Sequence, residues 1–246
     1  AEYGDSDKIA AAIEECKRMS IVVLTTEINK SGVGFTLEEL GSLSKDELER
    51  QLTDIESKKS RIGIRFGLSA IKNVGISAIE SILKARGSDK LFSSLPDLCS
   101  RVDTRLVNRK TLDSLIKAGA LDSFSSRAAN LLILDQCLEQ SHKLSRAKLS
   151  GQVSLFDSED ESFIEAINPP EVEEMPLEQL LIFEKDLLGF YLHEPPFTKR
   201  LKLLDQYVNL KISQISDEHI GQKITLGGVI TEVKKGVLGI GCLEHK

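Results

Sequence analysis

The 246 residues hold core enough for one large domain or two to three small ones, and with aromatics at 5% and no Trp that core must be mostly Leu, Ile, Val and Ala. No apolar run reaches the length of a membrane span, no signal peptide opens the chain, and Cys16, Cys99, Cys137 and Cys242 show no C-x-x-C, nor the four His any ligand spacing; the pattern fits free thiols of a reducing cytosol better than disulfides or zinc. The net charge of −6 hides an asymmetry: residues 65–150 carry +6 and residues 157–186 carry −10, the pattern of a nucleic-acid face beside a solvated acidic linker.

In chain order, Asp7 to Met19 reads as an amphipathic helix with Ile9, Ala12, Ile13 and Cys16 on one face and Asp5, Ser6 or Asp7 as caps. Ile21 to Leu24 reads as a buried strand. Ser44-Lys45-Asp46-Glu47 is a capping box opening a helix with Leu48, Leu52 and Ile55 on one side. Ile62, Ile64 and Phe66 alternate as a short strand does.

The stretch Phe66 to Arg86 reads as helix, tight hairpin, helix. Leu68 and Ile71 mark the first helix; Ile76, Ile79, Ile82 and Leu83 mark the second. Between them, Asn73 and Gly75 are the residue types most tolerant of left-handed backbone. Such a hairpin leaves amides of the turn and of the second helix's first turn without internal partners, converging where a phosphate oxygen can sit. Lys72, Asn73, Val74 and Gly75 are the candidate contacts. An ordinary helix corner in a core is the other reading of the same pattern.

Beyond the hairpin, Ser94-Leu95-Pro96-Asp97 starts another helix, and Asn108 to Ala118 carries the stripe Leu112, Leu115 and Ile116, stopped at Gly119. Ser125 or Ser126 caps a longer helix with Ala128, Leu131, Leu132 and Leu138 inward. Residues 144–175 lack a helical period and read as a linker. Pro176 suits a helix N1 position, with Leu177, Leu180, Leu181, Leu187 and Leu188 as its stripe. Lys223 to Val233 is β-rich, with Gly227-Gly228 as a bulge or bend.

Inside the linker stands Gly151-Gln152-Val153-Ser154-Leu155-Phe156-Asp157. Two large apolar side chains in a polar stretch suit a short extended peptide that fills a hydrophobic pocket, with Gln152 bonding its rim. Leu155 and Phe156 folding back onto neighbouring helices is the alternative. Catalytic chemistry is not visible. Asp5-Ser6-Asp7 is the one D-x-D, with no strand before it, and reads as a helix cap; there is no Walker loop, no G-x-S-x-G and no His paired with Cys or Ser.

Together these segments resemble the alpha subunit of bacterial replicative DNA polymerase III. KIAAAIEECKRMSIVVL with Glu27-Ile28-Asn29 resembles its late fingers segment, and GIRFGLSAIKNVG its first helix-hairpin-helix. LFSSLPDLCSRVDTRLVNRKTLDSLIKAGALDSF with Arg127-Ala128-Ala129 resembles the rest of its tandem helix-hairpin-helix region. GQVSLF is similar to its internal clamp-binding motif, EKDLLGFYLHEPPF to the segment before its OB domain, and KITLGGVITEVKKG to that domain's first strand and turn. Departures stand at Thr25-Thr26 for the usual Pro-Pro, at Asn73 for the usual Gly, at Lys117-Ala118-Gly119-Ala120 without the usual Gly pair, and at His193-Glu194-Pro195-Pro196.

The resemblance implies a mainly α fold with small α+β parts. Residues 1–64 would end the fingers domain, with 37–61 as an insertion. Residues 65–143 would form the tandem helix-hairpin-helix domain, 144–175 the linker with the clamp motif, 176–210 a helical segment and 211–246 the start of an OB β-barrel. It implies duplex-backbone binding by Lys72, Asn73, Val74 and Gly75, with Lys84, Arg86, Arg105, Arg109 and Lys110 as further contacts. It implies sliding-clamp binding by Gln152, Leu155 and Phe156, and other replicase subunits as partners of the parent. The parent would be a cytoplasmic DNA-directed DNA polymerase using Mg²⁺. This stretch, without the palm carboxylates, would be inactive alone and hold no cofactor. The alternative is a stand-alone, non-enzymatic helix-hairpin-helix adaptor; residues encoded upstream of Ala1 would discriminate the two, since a polymerase carries paired aspartates on strands there.

Overall fold

The computed structural model describes residues 6–19, 21–42, 62–87, 90–149, 167–189, 191, 207–210 and 215–228. It divides into two compact units, Ala1–His193 and Glu194–Lys246. The elements of the first unit, in order, are α1 (Ser6–Arg18), β1 (Val22–Leu24), β2 (Thr36–Glu39), β3 (Ile62–Arg65), α2 (Ile76–Arg86), α3 (Leu95–Arg101), α4 (Arg109–Lys117), α5 (Arg127–Leu149) and α6 (Leu177–Leu188).

The sheet has the order β1-β3-β2. β1 runs parallel to β3, with Val22 opposite Gly63 and Leu24 opposite Arg65; β2 runs antiparallel, with Thr36 opposite Arg65 and Glu39 opposite Ile62. Strand β2 overlaps residues expected to begin an insertion at 37. Its residues are mostly exposed, so pairing with β3 makes it a strand where its own sequence shows no alternation. The helix expected from Ser44 lies outside the described residues, as do Asp5 and the Leu155-Phe156 peptide.

Beyond β3 the chain makes close backbone contacts with the loop before β2. A Cβ on Gly67 would lie 2.4 Å from the carbonyl oxygen of Val33 and from the carbonyl carbon of Gly34. The amides of Leu68 and Ser69 donate to Gly32 and Val33 at 3.0 and 3.1 Å. Ser31 Oγ donates to the Phe66 carbonyl at 2.7 Å. Only glycine lets two backbones approach this closely.

One core cluster joins Ile13 of α1, Ile28, Phe66, Leu68 and Ile71 to the buried faces of α2 to α5 and to Leu187 and Leu188 of α6. The caps follow the sequence. Ser94 Oγ accepts from the Asp97 amide, Asn108 Oδ1 from the Thr111 amide, and Ser126 Oγ from the Ala129 amide. At the C-terminus of α4, Gly119 takes φ +83° and the Ala120 amide reaches Leu115 O, a Schellman closure.

Several expectations shift. The helix expected around Leu68 and Ile71 is a single 3-10 turn, Leu68–Ala70. Ala12 is exposed. On α5 Leu138 is buried as expected, joined by Ala129, Ile133, Leu134 and Cys137, while Leu132 is exposed. That helix runs to Leu149, into the stretch expected as linker. Pro176 is the N-cap of α6, one position before N1, and Leu177 is exposed. In the second unit, residues 223–228 form no strand; the rest of the expected β segment lies outside the described residues. Far apart in sequence, Cys99 and Cys137 are free and meet between α3 and α5. The hydrogen bond that the Cys99 thiol donates to Cys137, together with burial, pushes the Cys99 thiol up.

Two buried charges lie where the sheet meets the loop. Arg65 is fully buried; its guanidinium binds the Glu38 carboxylate and the Thr25 carbonyl, and its Nη2 has no hydrogen-bond partner among the described residues. Glu27 Oε1 accepts from Ser123 Oγ at 3.0 Å, while its Oε2 has no partner there. Burial raises the Glu27 carboxyl above its ordinary value, against the lowering pull of hydrogen bonds from the Asn29 amide and Ser123 and of the Arg65 charge. A raised carboxyl costs nothing at acid pH, where it is protonated folded and unfolded. The cost appears as pH rises through the ordinary range toward the folded value. Glu27→Gln should therefore be more stable than the parent chain at pH about 7, with the difference shrinking on acidification; paired urea unfolding curves across pH check this.

Candidate nucleic-acid interface

The hairpin between the 3-10 turn and α2 turns some of its amides inward and leaves others bare. The Lys72 amide donates to Leu187 O of α6 at 2.9 Å, and the Val74 amide to Ile71 O at 3.3 Å. The Val74 side chain is buried in the core. Asn73 sits at φ +68°, the left-handed conformation expected of it. Among the described residues, no hydrogen bond reaches the amides of Asn73, Gly75, Ile76 or Ser77, and no side chain caps α2. Gly75, Ile76 and Ser77 are exposed. The unpaired amides at this helix start can bind an anion, and the helix dipole favours it.

Gly75 is not required by backbone strain. Its φ is −76°, and a Cβ there would meet nothing within 4 Å. Glycine at this position leaves the backbone bare to an approaching group. Ile76, one of the apolar positions that mark the helix, is 52% exposed beside it.

The other candidate cations divide by what holds them. Lys72, Lys84 and Lys110 are exposed and have no ion pair among the described residues. Arg105 binds Asp103, whose carboxyl is held down to about 2 by that hydrogen-bonded guanidinium; Arg109 binds Asp135 at 2.6 Å. Both arginines are exposed, and such pairs contribute little in water. Arg86 differs: its Nη1 donates to the carbonyls of Ile28 and Ser31 at 2.8 and 2.9 Å, tying α2 to the loop after β1. Lys110 precedes Thr111, whose hydroxyl donates to Asn73 O at 3.3 Å, so the start of α4 abuts the hairpin.

Two residues of this region were not singled out from sequence: Thr111 and Ser114. Thr111 and Ser114 are buried polar groups three apart on the inner face of α4. A polar pair at that spacing on an otherwise apolar face was the available signal. Arg127 is buried beneath the second turn, where it donates to Asp122 and to Lys117 O. The turn Lys117-Ala118-Gly119-Ala120 is closed to ligands. Ala118, Gly119 and Ala120 are buried, and Ala120 O accepts from the Ile28 amide at 2.8 Å.

The arrangement is that of a helix-hairpin-helix domain. Residues 20–131 match the family model described as "Helix-hairpin-helix motif". Over its whole length this chain is homologous to a segment of the DNA polymerase III alpha subunit. It is 36% identical to the alpha subunit of Bacillus subtilis over 94% of this chain and 18% of that relative. It is 34% identical to that of Thermus aquaticus over 94% of this chain and 17% of the relative. With that of Haemophilus influenzae it shares 31% over 100% of this chain and 20% of the relative. The chain therefore spans about one fifth of the length of these relatives. Among the described residues, no helix is long and apolar enough to cross a membrane, and no group of three or more His, Cys, Asp or Glu is placed to hold a metal ion.

The two turns should respond differently to the same change. Gly119→Ala forces a side chain into left-handed backbone and against the Arg127 guanidinium, which would lie 2.4 Å from the new Cβ. It should cost about 2 kcal/mol or more. Gly75→Ala should shift stability by less than about 1 kcal/mol, a weaker N-cap offset by lost chain entropy in the unfolded state. Denaturant unfolding of the two variants measures both.

Proposed function

We propose that this chain is a carboxy-proximal part of a DNA polymerase III alpha subunit, and that it grips duplex DNA and tethers the polymerase to its sliding clamp. The observation that carries the reading is the exposed run of unpaired amides at Gly75, Ile76 and Ser77, with Lys72 beside it. A phosphate oxygen received there is held by backbone dipoles, which carry no sequence information. Lys84 and Lys110 add phosphate contacts. Arg105 and Arg109 can exchange their exposed carboxylate partners for phosphate at small cost. Arg86, expected as a contact, has two carbonyls to leave first and contributes least.

In the organisation proposed, residues 1–64 end the fingers domain. The helix-hairpin-helix domain covers 65–143, the linker 144–175 with its first residues, to Leu149, continuing α5, a helical segment 176–210 and an OB-domain start 211–246. The whole protein would carry out template-directed, Mg²⁺-dependent DNA synthesis in the cytoplasm with other replicase subunits. This stretch contributes grip without catalytic carboxylates. Duplex titration at several salt concentrations tests the grip. Affinity should fall with salt, and Lys72→Ala should reduce the slope of log K against log salt by about 1. Absence of salt-dependent binding would remove the DNA role.

The clamp role rests on the peptide Gln152-Val153-Ser154-Leu155-Phe156, two apolar anchors within a polar stretch. Replacing Leu155 and Phe156 together by Ala should abolish retention on immobilised sliding clamp. Retention equal to that of the parent chain would refute it.

A further inference from the structure

The hairpin is fastened to α4 by three polar groups that no known role of the chain requires. Asn73 Nδ2 donates to Ser114 Oγ at 3.2 Å, and Thr111 Oγ1 donates to Asn73 O at 3.3 Å. Thr111 is itself fixed at the start of α4, where its amide donates to the Asn108 side chain at 3.0 Å. Both hydroxyls are buried, 3% and 2% exposed, and on α4 they sit three residues apart, one above the other. An asparagine at this turn can therefore do two things that glycine cannot do together. It adopts φ +68°, and it spends a carboxamide on the neighbouring helix.

We propose that Asn73, Thr111 and Ser114 form a positioning brace. It holds the left-handed turn against α4 so that the amides of Gly75, Ile76 and Ser77 stay aimed outward. The proposal rests on the DNA-binding reading and assigns the departure at Asn73 a cause. The side chain does not weaken a phosphate contact; it braces the backbone that makes it. The brace touches no phosphate and removes no charge, so its loss leaves the number of phosphates engaged unchanged. What it supplies is preorganisation: an ordered turn loses less freedom when a ligand arrives. The bond to Ser114 also satisfies a hydroxyl that burial would otherwise leave unpaired, which couples the two residues.

The test uses the full 246-residue chain with Asn73→Gly, Ser114→Ala and the double variant. Glycine keeps the positive φ and removes only the carboxamide. Two quantities are read. Backbone ¹⁵N order parameters at residues 73–77 should fall in each single variant from the rigid value of about 0.85. Affinity for a random-sequence duplex should fall about three- to tenfold in each, with the salt slope unchanged, and the double variant should lose little more than either single one. Unchanged order parameters would overturn the brace. Order parameters that fall while affinity holds, or affinity that rises with glycine, would overturn its positioning role. If the parent chain itself shows no salt-dependent duplex binding, the DNA reading fails and the positioning role with it, while the order parameters still decide whether the brace exists.

Discussion

The structure around the candidate interface depends on one backbone crossing. Residues 31–34 pass so near residues 66–69 that nothing larger than glycine fits at position 67. The crossing uses the amides of Leu68 and Ser69 and the carbonyl of Phe66. It sets where the chain leaves β3, and so where the hairpin begins. The sheet supports it from one side through the Arg65 contacts to Glu38 and Thr25. The end of α6 supports it from the other, by accepting the Lys72 amide. With these inward groups consumed, the amides left over are the ones facing solvent.

Electrostatics then separates groups that hold the fold from groups open to a ligand. Arg86, Arg101 and Arg127 spend their guanidinium groups on backbone carbonyls, at the ends of helices and turns where carbonyls have no helical partner. Lys72, Lys84 and Lys110 stay in water. The acidic segment before α6 does more than solvate. Glu174 accepts from the amides of Arg127 and Ala128 at 2.7 and 3.1 Å, capping α5 from a distance of 46 residues or more. A carboxylate already occupies that helix start, whereas the start of α2 carries no side-chain cap.

How much of this was legible in the sequence follows from which interactions are local. Helices with a stripe and a cap were readable, as at Asn108 and Ser94, because 3.6-residue periodicity and a capping oxygen act within one turn. The left-handed residue at Asn73 was readable for the same reason. Strand β2 was not, because its conformation comes from pairing with β3. The 3-10 turn was not, because Leu68 and Ile71 have a helical spacing whether or not a second turn follows. Residues 144–149 continue α5 although Lys, Ser and Arg there show no stripe; a helix already nucleated needs less from each added residue. The brace hydroxyls of Thr111 and Ser114 passed as polar residues on an apolar helix. The homology to the DNA polymerase III alpha subunit was legible because several segments in a fixed order are more specific than any one of them.

The central claim is that the backbone of residues 75–77 is the part of this chain that receives DNA phosphate. Titrating ¹⁵N-labelled chain with short duplexes of two unrelated sequences tests it most directly. The account predicts that the amide resonances of Gly75, Ile76 and Ser77 shift most, by the same amounts with both sequences, while those of residues 118–120 stay fixed. Shifts that differ between the sequences, or that centre on residues 118–120 and leave 75–77 unmoved, would contradict it.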